Sequence, residues 1–64
     1  MTTYILTVKD KNGNTALAWE LDSYEKAVEM ANEKRSNKVY VGFTFVLTKQ
    51  VVTCEDINIW EGGN

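Results

Sequence analysis

The chain has no histidine and a single cysteine, Cys54. Without histidine the usual zinc ligand sets are missing, and one cysteine closes no internal disulfide, so neither staple is expected in this fold. Cys54 also lacks a histidine to activate it, which removes the common catalytic thiol arrangement and leaves a small core or edge residue. No apolar run approaches the roughly 18 residues of a membrane-spanning helix. The opening Met-Thr-Thr-Tyr lacks a basic segment followed by an apolar core, so the expected location is the cytoplasm, with no membrane partner. Excess charge is scarce as well: nine acidic against seven basic side chains give a net charge of −2. That balance disfavours nonspecific nucleic-acid binding and makes a basic protein surface the easier match.

Catalytic groups are equally sparse. Enzymes position an acid, base, nucleophile or metal in a pocket, and a chain of 64 residues has little volume for one. Glu55-Asp56 comes nearest to a carboxylate pair, but neighbours on a strand point to opposite faces, so the pair reads as a solvated turn. The expectation is a non-enzyme with no catalytic residue, no cofactor and no metal.

What is present is enough for one domain, residues 1–64. Hydrophobic residues make up 44% of the chain and charged residues 25%, ordinary values for a globular protein. A chain this short buries only about 60% of its unfolded surface, so its core must be efficient.

The only sustained helical period lies in residues 22–35. Tyr24, Ala27, Val28 and Ala31 fall at i, i+3, i+4 and i+7 on one stripe, flanked by Met30, while Glu25, Glu29, Asn32 and Glu33 point away. Ser23 is the preferred cap; Asp22, with Glu25 three residues on, makes a capping-box alternative. Lys34 and Arg35 suit the negative end of the helix dipole, and Ser36-Asn37 offers a left-handed stop.

The rest reads as strand and turn. Residues 4–9 put Tyr4, Leu6 and Val8 on one face; residues 15–21 put Leu17, Trp19 and Leu21 on one face. A two-residue Asn12-Gly13 turn of type I′ pairs Val8 with Leu17, Leu6 with Trp19 and Tyr4 with Leu21, and sets Lys9 opposite Ala16. Residues 38–48 predict a long third strand with Val39, Val41, Phe43, Phe45 and Leu47 facing the helix and Tyr40, Thr44, Val46 and Thr48 on the other side. Gly42 there marks a bulge or a close backbone approach. A turn near Lys49-Gln50 leads to a fourth strand from Val51, interrupted at Glu55-Asp56, where a bulge or break is expected before Ile57-Asn58-Ile59-Trp60, and residues 61–64 read as a flexible tail. The fold class is therefore α+β: a four-stranded antiparallel sheet with one helix packed on one face, in ββαββ order. A right-handed crossover gives the strand order 2-1-3-4.

Three surfaces remain for binding. Glu25, Glu29 and Glu33 recur every fourth residue, at a cost of a few tenths of a kcal/mol per like-charge pair, so the row is either a solvating face or a dock for a basic partner. The sheet face away from the helix collects Ile5, Ala16, Ala18, Tyr40 and Val46, either wetted or serving as a homodimer or partner patch. Edge strands offer a third route, by pairing with a strand of another protein. Tyr40 on an open face is also how single-stranded nucleic acid is stacked. Lys34, Arg35 and Lys38, with Lys9 and Lys11, are however explained by a helix end and a turn, so nucleic acid is disfavoured.

The segment Ser23-Tyr24-Glu25-Lys26-Ala27-Val28-Glu29-Met30-Ala31 resembles the Ser-x-x-x-Ala-x-x-x-Ala helix of several compact families. These are phage-encoded inhibitors of bacterial RNA polymerase, some anti-CRISPR proteins, and HicB-like antitoxins. The resemblance implies a small, acidic, phage- or mobile-element-encoded protein that binds and modulates a host protein without catalysis; it assigns no residue a role. A self-associating accessory module of antitoxin or virion-assembly type is the alternative, and a single-stranded nucleic-acid binder the third.

Overall fold

The computed structural model describes residues 2–63. Strands β1 (Thr3–Lys9) and β2 (Thr15–Leu21) are followed by helix α1 (Tyr24–Arg35), a single 3₁₀ turn (Lys38–Tyr40), and strands β3 (Thr44–Gln50) and β4 (Cys54–Glu61). The four strands form one antiparallel sheet in the order β2-β1-β3-β4, the α+β arrangement that the alternation and the crossover rule require.

Tyr4, Leu6 and Val8 lie opposite Leu21, Trp19 and Leu17, so the large residues of the first hairpin share one face. Its turn is not the two-residue type I′ turn. Gly13 takes a φ of +84°, but Asn12 stays out of the left-handed region. The Gly13 amide donates to the Asp10 carbonyl at 3.0 Å, and the Asp10 amide donates to the Asn14 carbonyl at 2.8 Å. The Asp10 carboxylate accepts from the amides of Asn12 (2.9 Å) and Asn14 (3.0 Å). These bonds favour a three-residue loop with glycine in its left-handed position. The extra loop residue brings Lys9 opposite Thr15 rather than Ala16, and a register shift at Ala16 restores Val8 to Leu17.

Ser23 caps the helix, its Oγ accepting from the Lys26 amide at 3.4 Å, while Asp22 instead meets the Lys26 ammonium at 3.4 Å. The stop is not left-handed: Ser36 remains helical at φ −72°, ψ −11°. Its hydroxyl donates to the Glu33 carbonyl at 2.7 Å, and the Asn37 amide donates to that of Lys34 at 3.1 Å, so free carbonyls are satisfied without a left-handed residue.

The third strand begins six residues later than the alternation of residues 38–48 suggests. β1 reverses at Asp10, so its last ladder partner is Thr44, opposite Lys9; β4 likewise ends opposite Thr44, at Glu61. Residues before Thr44 have no strand on either side to take their backbone groups, and they curl instead. Asn37 Oδ1 accepts from the Val39 amide at 3.0 Å to start the 3₁₀ turn. Val41 (φ −58°, ψ 127°) and Gly42 (φ +84°) then make a type II turn closed by the Phe43 amide on the Tyr40 carbonyl at 3.0 Å. Gly42 is thus a turn residue, not a bulge. Phe43, Phe45 and Leu47 pack into the core as expected, whereas Val39 and Val41 are exposed.

Lys49 and Gln50 belong to β3, and residues 51–53 make the bend into β4. A register shift follows the acidic pair: Leu47 faces Asn58 and Thr48 faces Asp56, leaving Ile57 as the extra residue. That bulge changes the side-chain parity, so Ile57 and Trp60 both pack on the core, which strict alternation forbids. Residues 61–63 are not a loose tail. Glu61 ends β4, the Gly62 amide donates to the Phe43 carbonyl at 2.8 Å, and the Gly63 amide donates to the Arg35 carbonyl at 2.7 Å. Asn64, the last residue of that expected tail, lies outside the described residues.

Leu6, Val8, Phe45 and Leu47 meet Ala27 and Ala31 in a fully buried cluster between sheet and helix. Each large member contributes about 1.5–3 kcal/mol by leaving water. Gly62 closes one end of it, where a Cβ would collide with the Tyr40 carbonyl oxygen and approach the Phe45 ring. Gly62→Ala is therefore expected to cost about 1–3 kcal/mol of unfolding free energy in urea titrations, with Gly13→Ala, whose site is sterically open, as the backbone-only comparison.

Candidate interaction surfaces

The helix presents its charge unevenly. Lys34 and Arg35 are adjacent, hence about 100° apart around the axis, and they straddle the Ala27–Ala31 stripe. Each reaches a different edge strand: the Lys34 ammonium sits 5.6 Å from the ring centroid of Trp19 on β2, and the Arg35 guanidinium 6.0 Å from that of Trp60 on β4. Arg35 also donates to the Glu61 carbonyl (3.2 Å) and to Asn32 Oδ1 (3.0 Å). Such cation–aromatic contacts are worth about 0.5–1 kcal/mol at partly exposed sites. They hold both cations against the sheet. Lys26 is engaged with Asp22, a solvated pair worth a few tenths of a kcal/mol. Glu25, Glu29 and Glu33 are all exposed and join no ion pair among the described residues. The predicted acidic row thus runs without an ion pair along the outer face of α1, about 12 Å from first to last.

The open sheet face is organised in cross-strand rows. Ala18, Thr7, Val46 and Ile59 lie side by side across all four strands, and Glu20, Ile5, Thr48 and Asp56 form the next row. Ile5 and Val46 are therefore brought to one face as expected. Val46 is only 8% exposed and Ile5 is half-buried, so the apolar area offered to a partner comes chiefly from Ile59, which is 67% exposed. The flanking positions are polar, with Thr48 Oγ1 donating to Asp56 Oδ1 at 2.8 Å.

Tyr40 is not on this face. It ends the 3₁₀ turn and packs against the core, its ring 5.7 Å from those of Phe43 and Phe45 in edge-to-face geometry. The shortened third strand is the reason, and the open-face tyrosine on which the disfavoured base-stacking alternative relied is absent from that position.

Two further exposed apolar elements escaped sequence reasoning. Val51 (53% exposed) and Val52 (95%) form the β3–β4 bend, where no glycine, asparagine or aspartate marks a turn. Leu17 on edge strand β2 is 39% exposed. The signal for both was available: apolar residues at a chain reversal and on a terminal strand, once the reversal and the edge are placed.

Chemical groups are dispersed. Cys54 is exposed, and among the described residues no group of three or more histidine, cysteine, aspartate or glutamate side chains converges as a metal site. The groove between α1 and the end of β2 is shallow and carries both signs of charge, from Lys26, Glu29, Glu33 and Lys34. Among the described residues no helix is long and apolar enough to cross a membrane. No protein-family model, no curated protein and no solved structure matches this chain.

Because Tyr40 wedges between turn and core, Tyr40→Ala is expected to lower stability by roughly 2 kcal/mol or more. A thermal or urea midpoint unchanged from the parent would contradict that placement.

Proposed function

We propose that this chain is a non-enzymatic interaction protein that binds a partner with a basic surface through the outer face of α1. The observation that carries the reading is the unpaired row Glu25, Glu29 and Glu33, left bare because the nearby cations Lys34 and Arg35 are held over Trp19 and Trp60. A like-charge row of this kind costs the helix stability, so its benefit lies outside the folded chain. Electrostatic docking on such a face speeds encounter and selects against acidic partners. That the partner is a host macromolecule in the cytoplasm, modulated by a phage- or mobile-element product, rests on the resemblance of residues 23–31 to host-targeting inhibitors.

The test is capture of partners from bacterial host lysate on the immobilised chain, with the triple variant Glu25→Gln, Glu29→Gln, Glu33→Gln alongside. The variant is expected to lose the captured protein, and elution from the parent chain is expected to fall at lower salt than an apolar contact requires. In a Glu29→Gln, Glu33→Gln variant, which keeps Glu25 in the first helical turn where the dipole favours it, unfolding free energy should rise by about 0.2–0.5 kcal/mol for each like-charge pair removed. Undiminished recovery with the triple variant would assign binding to another surface.

A further inference from the structure

The two edges of the sheet are built differently. β4 carries Glu55, Asp56 and Glu61 and is broken by the bulge at Ile57, devices that discourage a further strand from pairing. β2 carries neither charge nor proline from Thr15 to Trp19, and beyond the irregularity at Ala16 its residues 17–21 run in regular register. Its backbone edge is open because β1 pairs on one side only. From this asymmetry we infer that the β2 edge is a self-association site, pairing antiparallel with β2 of a second copy about a two-fold at Ala18 to make a continuous eight-stranded sheet.

The sequence of β2 is self-complementary in that register. Ala18 faces Ala18 of the second copy on the open face, Glu20 meets the uncharged irregularity at Ala16, and no like charges meet. On the helix face Leu17 lies opposite Trp19, so a leucine left 39% exposed in one chain is covered by an indole of the other. A two-fold at Trp19 would instead oppose two indoles, each with a Lys34 ammonium 5.6 Å from its ring, and draw like charges together. The same operation on β4, centred at Asn58, sets Glu55 against Glu61. A second copy therefore fits β2 and not β4. Two short strands make a small interface, so association depends on protein concentration.

The test is sedimentation equilibrium of the purified chain, under reducing conditions, from low micromolar to millimolar concentration. The mass is expected to rise from 7.3 kDa towards twice that value. Ala18→Lys and Leu17→Lys should each hold the protein monomeric, the first, at an exposed position, with thermal unfolding unchanged and the second, whose leucine is only 39% exposed, with a lower midpoint. Ile59→Lys, on the opposite edge, should leave association unaltered. In a Cys54→Ser background, Ala18→Cys should give a disulfide-linked dimer in air and Glu20→Cys should not. The Cα separation of a facing pair, about 4.5–5.5 Å, suits a disulfide, and Glu20 does not face itself. A monomer throughout the range overturns the inference. So does association that survives both lysine variants or is lost with Ile59→Lys. The readout uses the pure chain alone, so its failure is separate from that of partner capture by the acidic face.

Discussion

The seat of the helix on the sheet is the contact on which the rest of the molecule depends. Ala27 and Ala31 are small enough for the α1 backbone to come down onto Leu6, Val8, Phe45 and Leu47, and all six residues are excluded from solvent. A larger residue at either alanine would lift the helix and open the layer between. In a chain of this length there is no second core to compensate. The close approach also fixes what the helix does with its last turn. Lys34 and Arg35, splayed to the two sides of the alanine stripe, come within reach of Trp19 and Trp60, and the long side chains cover the flanks of the core.

That arrangement links packing to surface charge. Cations that would otherwise screen the helix are spent on aromatic faces, and the glutamates one turn apart are left to solvent or to a partner. A contribution of about 0.5–1 kcal/mol from each cation–aromatic contact offsets the few tenths lost to each glutamate pair, so the fold tolerates the row without needing it. The sheet contributes a second kind of asymmetry. Its far face is closed by threonines around a nearly buried Val46, while its edges differ in charge and regularity, so the surfaces differ in the partners they suit.

Local chemistry was legible wherever it acted over short distances. Alternation in residues 4–9 and 15–21 specified which residues of the first hairpin pair, because a one-residue slip would turn six large side chains out of the core. The Ser23 cap, the alanine stripe and the exposed glutamates followed from helical spacing alone. The type of the first turn did not, since Asp10 can anchor a three-residue loop with its own carboxylate and let a bulge at Ala16 absorb the difference. Periodicity could not tell a strand from a stretch that merely alternates, as residues 38–43 do.

The sequence by itself determined the fold class, the strand order, the faces of the first hairpin and the acidic face of the helix, all consequences of periodicity and chain connection. The tertiary structure alone decided where β3 begins, that Tyr40 turns into the core, that the interruption beside Glu55-Asp56 is a bulge at Ile57 so that two parities of β4 share one face, and that the glycines after β4 are docked rather than loose. The reason is the same in each case: a backbone stays extended only where a neighbouring strand accepts its hydrogen bonds. The length of that neighbour is set by a turn elsewhere in the chain.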